Sequence, residues 1–133
     1  MPLVQIVIAG PAPIPATVRR LQKETTRLMR DVLRKEAALT VVGITSVPAA
    51  AVTAGGEPVA AAAWLQGQIT AGTNSTAEKA AFIAAAEAML TAALGTLAVP
   101  TYVVLHELPA TDWGYDGLSQ ATRRLSHDKE AAV

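Results

Sequence analysis

The chain has 133 residues, the size of one ordinary domain, and 51% of them are hydrophobic, which argues against a disordered chain. Its 11 basic and 11 acidic residues cancel, so we expect neither a general nucleic-acid binder nor a protein drawn to anionic membranes. The absence of cysteine excludes disulfides, zinc–thiolate sites and thiol nucleophiles. No segment approaches the ~18 apolar residues of a membrane helix, and the apolar start is too short for a signal peptide, so we expect a soluble cytoplasmic protein.

The first half of the chain has the pattern of a strand, a helix and a second strand. β-branched residues predict the strands, three prolines break the first connection, and a stripe of apolar residues predicts the helix. Two adjacent glycines then indicate a loop or loose hairpin. In chain order we predict a strand over residues 2–9, a helix over 15–37, a strand over 40–47 and a hairpin over 48–62 around Gly55 and Gly56.

The second half repeats this pattern. Ser75 and Glu78 have the spacing of a capping box, which predicts where the second helix begins. After the last hairpin we expect a frayed tail. In chain order we predict a strand over residues 64–71, a helix from Ser75 to about Leu94, a strand over 101–108, a hairpin over 109–121 and a tail over 125–133.

An internal repeat becomes visible when the sequence is shifted by 61 residues against itself. Without gaps, identical residues then coincide at Gln5/Gln66, Ile8/Ile69, Leu33/Leu94, Thr40/Thr101, Val42/Val103, Pro48/Pro109 and Gly56/Gly117. We interpret the chain as a single domain made of two fused pseudo-repeats, residues 2–62 and 63–124, since each half alone would bury little surface.

Two β-α-β units predict an α+β fold with a four-stranded sheet and both helices on one face. Val4, Ile6 and Ile8 are apolar on one side of the first strand, and Leu3 and Val7 are apolar on the other. Both sides of this strand therefore favour dry surroundings. Because the helices cover only one face, we expect a symmetric homo-oligomer to cover the other.

Pro2 is the first candidate for chemistry. If the initiator methionine is removed, Pro2 becomes a terminal secondary amine, a compact base with no side chain to order. Burial of that amine would lower its pKa toward neutrality. Such a base can move a proton on the carbon next to a carbonyl group.

The second candidate is the run from Glu107 to Gly117, which ends a strand with Glu-Leu-Pro and continues into Trp113-Gly114-Tyr115-Asp116-Gly117. Taken with Pro2 and the duplicated β-α-β pattern, this resembles the tautomerase superfamily, the family of 4-oxalocrotonate tautomerase. Members begin with a catalytic proline, and their units end in a Glu-hydrophobic-Pro/Ala turn followed by an aromatic-glycine hairpin. The resemblance covers nearly the whole chain as two fused units.

The resemblance implies a homotrimer and a cofactor-independent, metal-independent isomerase. Pro2 would be the general base or acid that moves a proton between carbon and oxygen of an enol or 2-keto acid. Trp113 would form an apolar wall that partly desolvates Pro2. Tyr102 stands where the family commonly has a substrate-binding arginine, so it would donate a hydrogen bond to a small carbonyl or enol substrate. Tyr102 and His106 share one face of the last strand, and we include His106 among the substrate-binding candidates.

The sequence also departs from the family pattern. The turns after the first and third strands lack the arginines that many members use to bind carboxylates, and Val41 and Tyr102 replace another arginine. Val52 stands where the second unit has Trp113. Two alternatives therefore stay open: a non-enzymatic ferredoxin-like binding or assembly module, and a decarboxylase or dehalogenase of the same superfamily. An intact mass lower by one methionine would favour the enzyme.

Overall fold

The structure is a computed structural model that describes residues 2–132, and the side chains of residues 2–128. The predicted strands and helices are all present, and most of their ends lie within two residues of the prediction. In chain order the elements are β1 (Leu3–Ala9), α1 (Pro15–Asp31), β2 (Val41–Val47), β3 (Thr53–Ala54), β4 (Glu57–Pro58), β5 (Ala62–Thr70), α2 (Thr76–Leu94), β6 (Val103–Leu108), β7 (Gly114–Tyr115), β8 (Leu118–Ser119) and α3 (Gln120–Ala132).

The predicted four-stranded sheet is confirmed, with strand order β2-β1-β5-β6. The two outer pairs, β1–β2 and β5–β6, are parallel, and the central pair β1–β5 is antiparallel. Parallel pairs need a crossover, and α1 and α2 provide one in each half. The sheet is therefore two β-α-β units joined edge to edge through β1 and β5.

The two halves follow each other at a constant spacing. Helices α1 and α2 begin 61 residues apart, and the hairpin β3–β4 is displaced by the same 61 residues from the hairpin β7–β8. Gln5 and Gln66, which also differ by 61, are direct partners across β1 and β5. A local two-fold axis between these two glutamines therefore relates the halves.

The hydrophobic core lies between the sheet and the helices. Alternate residues of β1 (Val4, Ile6 and Ile8) point toward the helices and are buried, as are Leu21 of α1 and Phe82 of α2. The strand register puts the intervening residues on the opposite face, which we call the open face. It carries Leu3, Gln5, Val7, Val41, Gly43, Thr45, Trp64, Gln66, Gln68, Tyr102, Val104 and His106.

Helix α1 ends at Asp31, although the apolar stripe predicted a helix to residue 37. Arg34 takes a left-handed conformation with φ of 58°, and the Lys35 amide donates a hydrogen bond to the Met29 carbonyl at 2.9 Å. This geometry closes a helix, and glycine is its usual residue. Because an arginine occupies the position, no glycine marks the end of the helix in the sequence.

Helix α2 begins with the predicted capping box. The Ser75 hydroxyl accepts a hydrogen bond from the Glu78 amide at 3.1 Å, and the Glu78 carboxylate accepts one from the Ser75 amide at 2.8 Å. Arg34 donates a further hydrogen bond to Glu78 at 2.8 Å, which ties the end of α1 to the start of α2. These hydrogen bonds lower the pKa of Glu78 to about 2; the bond from the Ser75 amide is the larger cause and the bond from Arg34 is the second.

We expect Glu78→Gln to destabilise the protein at neutral pH but not at strongly acidic pH. A carboxylate whose pKa is lowered on folding stabilises the folded state above its unfolded value, and that contribution is lost as it becomes protonated. The window runs from the ordinary value of 4.5 down to about 2. Urea unfolding of both proteins across this range should show their free energies of unfolding converging at low pH; a constant difference would contradict the prediction.

The end of the chain differs from the prediction. In place of a frayed tail after Arg124, residues Gln120–Ala132 form helix α3. The Gln120 amide donates to the Trp113 carbonyl at 2.9 Å, and the Ala121 amide donates to the Ala110 carbonyl at 2.8 Å. These bonds attach the start of α3 to the preceding loop. None of the described helices has the length and hydropathy needed to cross a bilayer.

Candidate active site

Pro2 lies at the start of β1, at the edge of the core. The Val41 amide donates a hydrogen bond to the Pro2 carbonyl at 3.2 Å, which holds the residue against β2. Pro2 is less than 2% exposed. A group at this position is therefore largely removed from water.

The second hairpin reaches the same end of the sheet. Because β5 is antiparallel to β1, its last residue, Thr70, lies beside the start of β1. Strand β6 is parallel to β5 and ends there too, with Leu108 paired to Thr70. The chain that leaves β6 therefore brings Trp113 toward Pro2. The Trp113 indole N–H donates to the Thr70 hydroxyl at 3.2 Å, which fixes the ring.

Pro2 and Trp113 line one cavity of about 330 Å³. Its walls come from the start of β1, the segment before β2 and the hairpin β7–β8. Asp116 is the only charged residue among its described lining. The full lining is Pro2, Leu3, Ala38, Leu39, Val41, Trp113, Gly114, Tyr115 and Asp116. The structure thus brings together the two residues that the sequence predicted as base and apolar wall.

Tyr115 and Arg123 add a contact that the sequence analysis missed. The Arg123 guanidinium lies 3.8 Å from the centroid of the Tyr115 ring, and its Nη2 donates to the Tyr115 carbonyl at 3.0 Å. Its Nε is buried and has no hydrogen-bond partner. Arg123 therefore supports the Tyr115 wall from α3. In the sequence, an arginine a few residues after an aromatic hairpin could have indicated this contact. The contact was not predicted because the chain after Arg124 was expected to be a frayed tail.

Tyr102 is not near Pro2 within one chain. The Tyr102 carbonyl accepts a hydrogen bond from the Leu65 amide, at the first residues of β5, whereas Pro2 lies beside the last. At about 3.3 Å per residue, five residues of β5 separate the two levels by about 16 Å. Within a single chain, Tyr102 and Pro2 therefore line different cavities, because Tyr102 precedes β6 and the hairpin follows the end of that strand. The substrate-binding role of Tyr102 stays a prediction.

His106 lies on the open face, in one cross-strand row with Gln68 and Leu3. This row is at the Pro2 end of the sheet, and Leu3 also lines the Pro2 cavity, but His106 does not. Glu107 points to the opposite face, where it is paired with Lys79. His106 and Glu107 therefore point to opposite faces of the sheet, and His106 faces away from the helices.

A polar cluster holds the loop that follows β5. Glu107 accepts hydrogen bonds from Lys79 and from the Gly72 amide. Both bonds lower the pKa of Glu107, and the bond from Lys79 has the larger effect. Lys35 donates to the Thr73 hydroxyl at 2.8 Å, and partial burial lowers the pKa of its ammonium group. Across the described residues, no three His, Asp or Glu side chains are grouped as metal ligands.

The architecture defines a class of protein: two fused β-α-β units with a buried proline at the start of the first strand. Comparison with solved structures points to the same class. A wild-type fused 4-OT, described as a symmetric trimer, is 29% identical with a TM-score of 0.83, covering 91% of this chain and 98% of that one. No protein-family model matches the sequence, and no curated protein does.

Two more distant structures share the fold. Pt0534, described as inactivated by 2-oxo-3-pentynoate, is 16% identical with a TM-score of 0.82, covering 91% of this chain and 98% of that one. A macrophage migration inhibitory factor-like protein from Entamoeba histolytica is 15% identical with a TM-score of 0.74, covering 89% of this chain and 97% of that one. The resemblance to the tautomerase superfamily is therefore confirmed: the chain has the fused tautomerase fold.

Proposed function

We propose that this protein is a cofactor-independent tautomerase in which Pro2, freed by removal of Met1, is the general acid and base. The observation that carries the proposal is the burial of Pro2 in a cavity walled by Trp113 and Tyr115. The reaction is a proton shift in an enol or a 2-keto acid. The Pro2 nitrogen accepts the proton from the enol oxygen and delivers it to the neighbouring carbon, and the reverse direction follows the same steps.

The surroundings of Pro2 suit this role. A secondary ammonium ion loses hydration when it is buried, so burial favours the neutral amine and lowers its pKa. The Trp113 ring lines the same cavity as Pro2, and its hydrogen bond to Thr70 keeps it in place. A base with a pKa near the working pH exchanges protons most effectively. The apolar wall thus keeps water from the Pro2 amine, which lowers the pKa of the amine toward the working pH.

The lining also bears on the substrate. Among the described residues that line the cavity, Asp116 is charged and none is a lysine or an arginine. A carboxylate deep in this cavity would meet a like charge without a cation to offset it. We therefore propose that the reacting carbonyl or enol end enters the cavity while the carboxylate of a 2-keto acid stays in water or meets a cation from another subunit.

A homotrimer is part of this proposal. The open face leaves the apolar side chains of Leu3, Val41 and Tyr102 exposed by 44%, 60% and 67%. A single layer of sheet with one uncovered, partly apolar face gains stability when copies pack against it. The similar fused 4-OT structures are described as trimers. In such an assembly Tyr102 or His106 of one copy could reach the Pro2 cavity of another.

Two measurements test the proposal. Intact mass spectrometry should give a chain lighter by one methionine, because a retained Met1 would make the Pro2 nitrogen an amide. Titration of the terminal amine by NMR should then give a pKa below that of an exposed proline amine. A full-length mass, or the pKa of a free amine, would rule out Pro2 as the tuned base.

A further inference from the structure

A second cavity, of about 520 Å³, lies at the other end of the sheet from Pro2. It is formed by the hairpin β3–β4, the start of β5 and the segment that leads into β6. Tyr102, which the sequence suggested for the Pro2 site, lines this cavity, and so does Trp64. Within one chain, neither residue lines the Pro2 cavity.

The second cavity is the counterpart of the Pro2 cavity under the internal two-fold axis. Of the nine residues that line the Pro2 cavity, eight have their equivalent, 61 positions away, in the lining of the second one. The equivalents are Leu3/Trp64, Ala38/Val99, Leu39/Pro100, Val41/Tyr102, Trp113/Val52, Gly114/Thr53, Tyr115/Ala54 and Asp116/Gly55. The chain thus builds a cavity from equivalent positions twice, although the second is larger.

The chemistry of the second cavity is different. The position equivalent to Pro2 is Ala63, inside β5, where no terminal amine is available. In the Pro2 cavity the aromatic side chains are on the hairpin, whereas in the second cavity they are on the sheet. On the hairpin, Val52 and Ala54 stand in place of Trp113 and Tyr115. On the sheet, Trp64 and Tyr102 stand in place of Leu3 and Val41. Gly55 replaces Asp116, so no charged residue is among the described lining.

Trp64 and Tyr102 lie side by side at the edge of this cavity. The Leu65 amide donates to the Tyr102 carbonyl at 3.0 Å, and Leu65 pairs with Val103, so Trp64 and Tyr102 are cross-strand neighbours on the open face. Trp64 is half-buried, and Tyr102 is 67% exposed. Two adjacent aromatic rings and a hydroxyl group form a surface that suits a flat ring with one polar group.

We propose that the second cavity is a non-catalytic binding site for an uncharged planar aromatic molecule that carries a hydroxyl or carbonyl group. The ring packs against Trp64, and the polar group forms a hydrogen bond with the Tyr102 hydroxyl. An anion is disfavoured because the lining offers no positive charge to replace its hydration. The proposal does not depend on Pro2 acting as a base, so it can fail or succeed separately from the proposed activity.

The test is calorimetric titration of the purified protein with 2-naphthol, which is neutral at pH 7, and with the anion 2-naphthoate. We expect 2-naphthol to bind the wild type and 2-naphthoate to bind at least about tenfold more weakly, since a buried anion lacks a partner. Val52→Trp places an indole at the position equivalent to Trp113 and should fill the site. The matched variant Trp113→Ala alters the other cavity and should leave the affinity for 2-naphthol within about twofold of the wild type, because distant sites act independently.

Tyr102→Phe serves as a second variant, because this exposed side chain can lose its hydroxyl without disturbing the core. It should weaken 2-naphthol binding about three- to tenfold, the usual effect of one hydrogen bond. The proposal is overturned if the wild type binds no 2-naphthol or binds 2-naphthoate as tightly. It is also overturned if Trp113→Ala rather than Val52→Trp abolishes binding. A change of oligomeric state with Val52→Trp, without 2-naphthol binding by the wild type, would identify the cavity as a contact between copies instead.

Discussion

Replacing Pro2 with alanine is expected to lower kcat/KM for phenylpyruvate tautomerisation by about 10²–10⁴-fold, the range supplied by a positioned general acid or base. Alanine still provides a terminal amine, but that amine is primary and lacks the ring that fills the buried position. The proton acceptor is then less well placed and more easily hydrated. Enol–keto conversion followed by absorbance, for both proteins under the same conditions, measures the effect.

Two controls accompany Pro2→Ala, and the second separates the nitrogen of Pro2 from its ring. Pro11→Ala removes an exposed proline from the turn after β1 and should leave the rate unchanged. A lysine inserted between Met1 and Pro2 should prevent removal of the methionine, which leaves the proline ring in place but turns its nitrogen into an amide. This insertion should lower the rate at least as much as Pro2→Ala. Equal rates for wild type and Pro2→Ala would remove Pro2 from the mechanism.

Gly114→Ala should disrupt the wall of the Pro2 cavity. A Cβ atom at this position would overlap the Leu118 carbonyl oxygen and lie 2.7 Å from the Ser119 Cα, and both neighbours are backbone atoms of the paired strand. The hairpin β7–β8 can accommodate the methyl group only by opening. Trp113 and Tyr115 flank Gly114, so both rings would move.

We expect Gly114→Ala to lower kcat/KM about 10²-fold, as a displacement of about 1 Å at a catalytic site can do. Overpacking of this kind should also destabilise the fold by about 1–3 kcal/mol. Near-ultraviolet circular dichroism and urea unfolding measure the two structural effects. Gly117→Ala, in the turn of the same hairpin, is the matched control: its Cβ meets no atom within 4 Å, so only its φ of +83° is strained. A loss of activity as large with Gly117→Ala would contradict the steric explanation.

Much of the fold follows from local patterns in the sequence. The alternation of Val4, Ile6 and Ile8 specifies which side of β1 faces the helices, and Ser75 with Glu78 marks the start of α2. The end of α1 was missed because Arg34 adopts a conformation for which glycine is the usual signal. Helix α3 was missed because its sequence is polar and its hydrogen bonds to the loop before it are tertiary contacts.

The site was predicted in part. The sequence motifs led to Pro2 and Trp113, and these residues share a cavity. Within one chain Tyr102 lines the cavity at the other end of the sheet, and the sequence alone does not show which residues of another copy would reach Pro2. Tyr115 and Asp116 contribute to the Pro2 cavity through the tight turn of their hairpin, where Asp116 has φ of +51°. The hairpin brings these residues to the cavity only when the chain folds back toward β1, and no single residue in the sequence indicates that contact.

The pairing of Gln5 with Gln66 has a consequence for how such a protein can diversify. An assembly of identical single-unit chains must repeat each substitution at every subunit. Joining two units in one polypeptide lets Val52 and Trp113 differ while the backbone around them stays alike. One cavity can then change its lining while the other keeps its own, and no substitution has to suit both cavities.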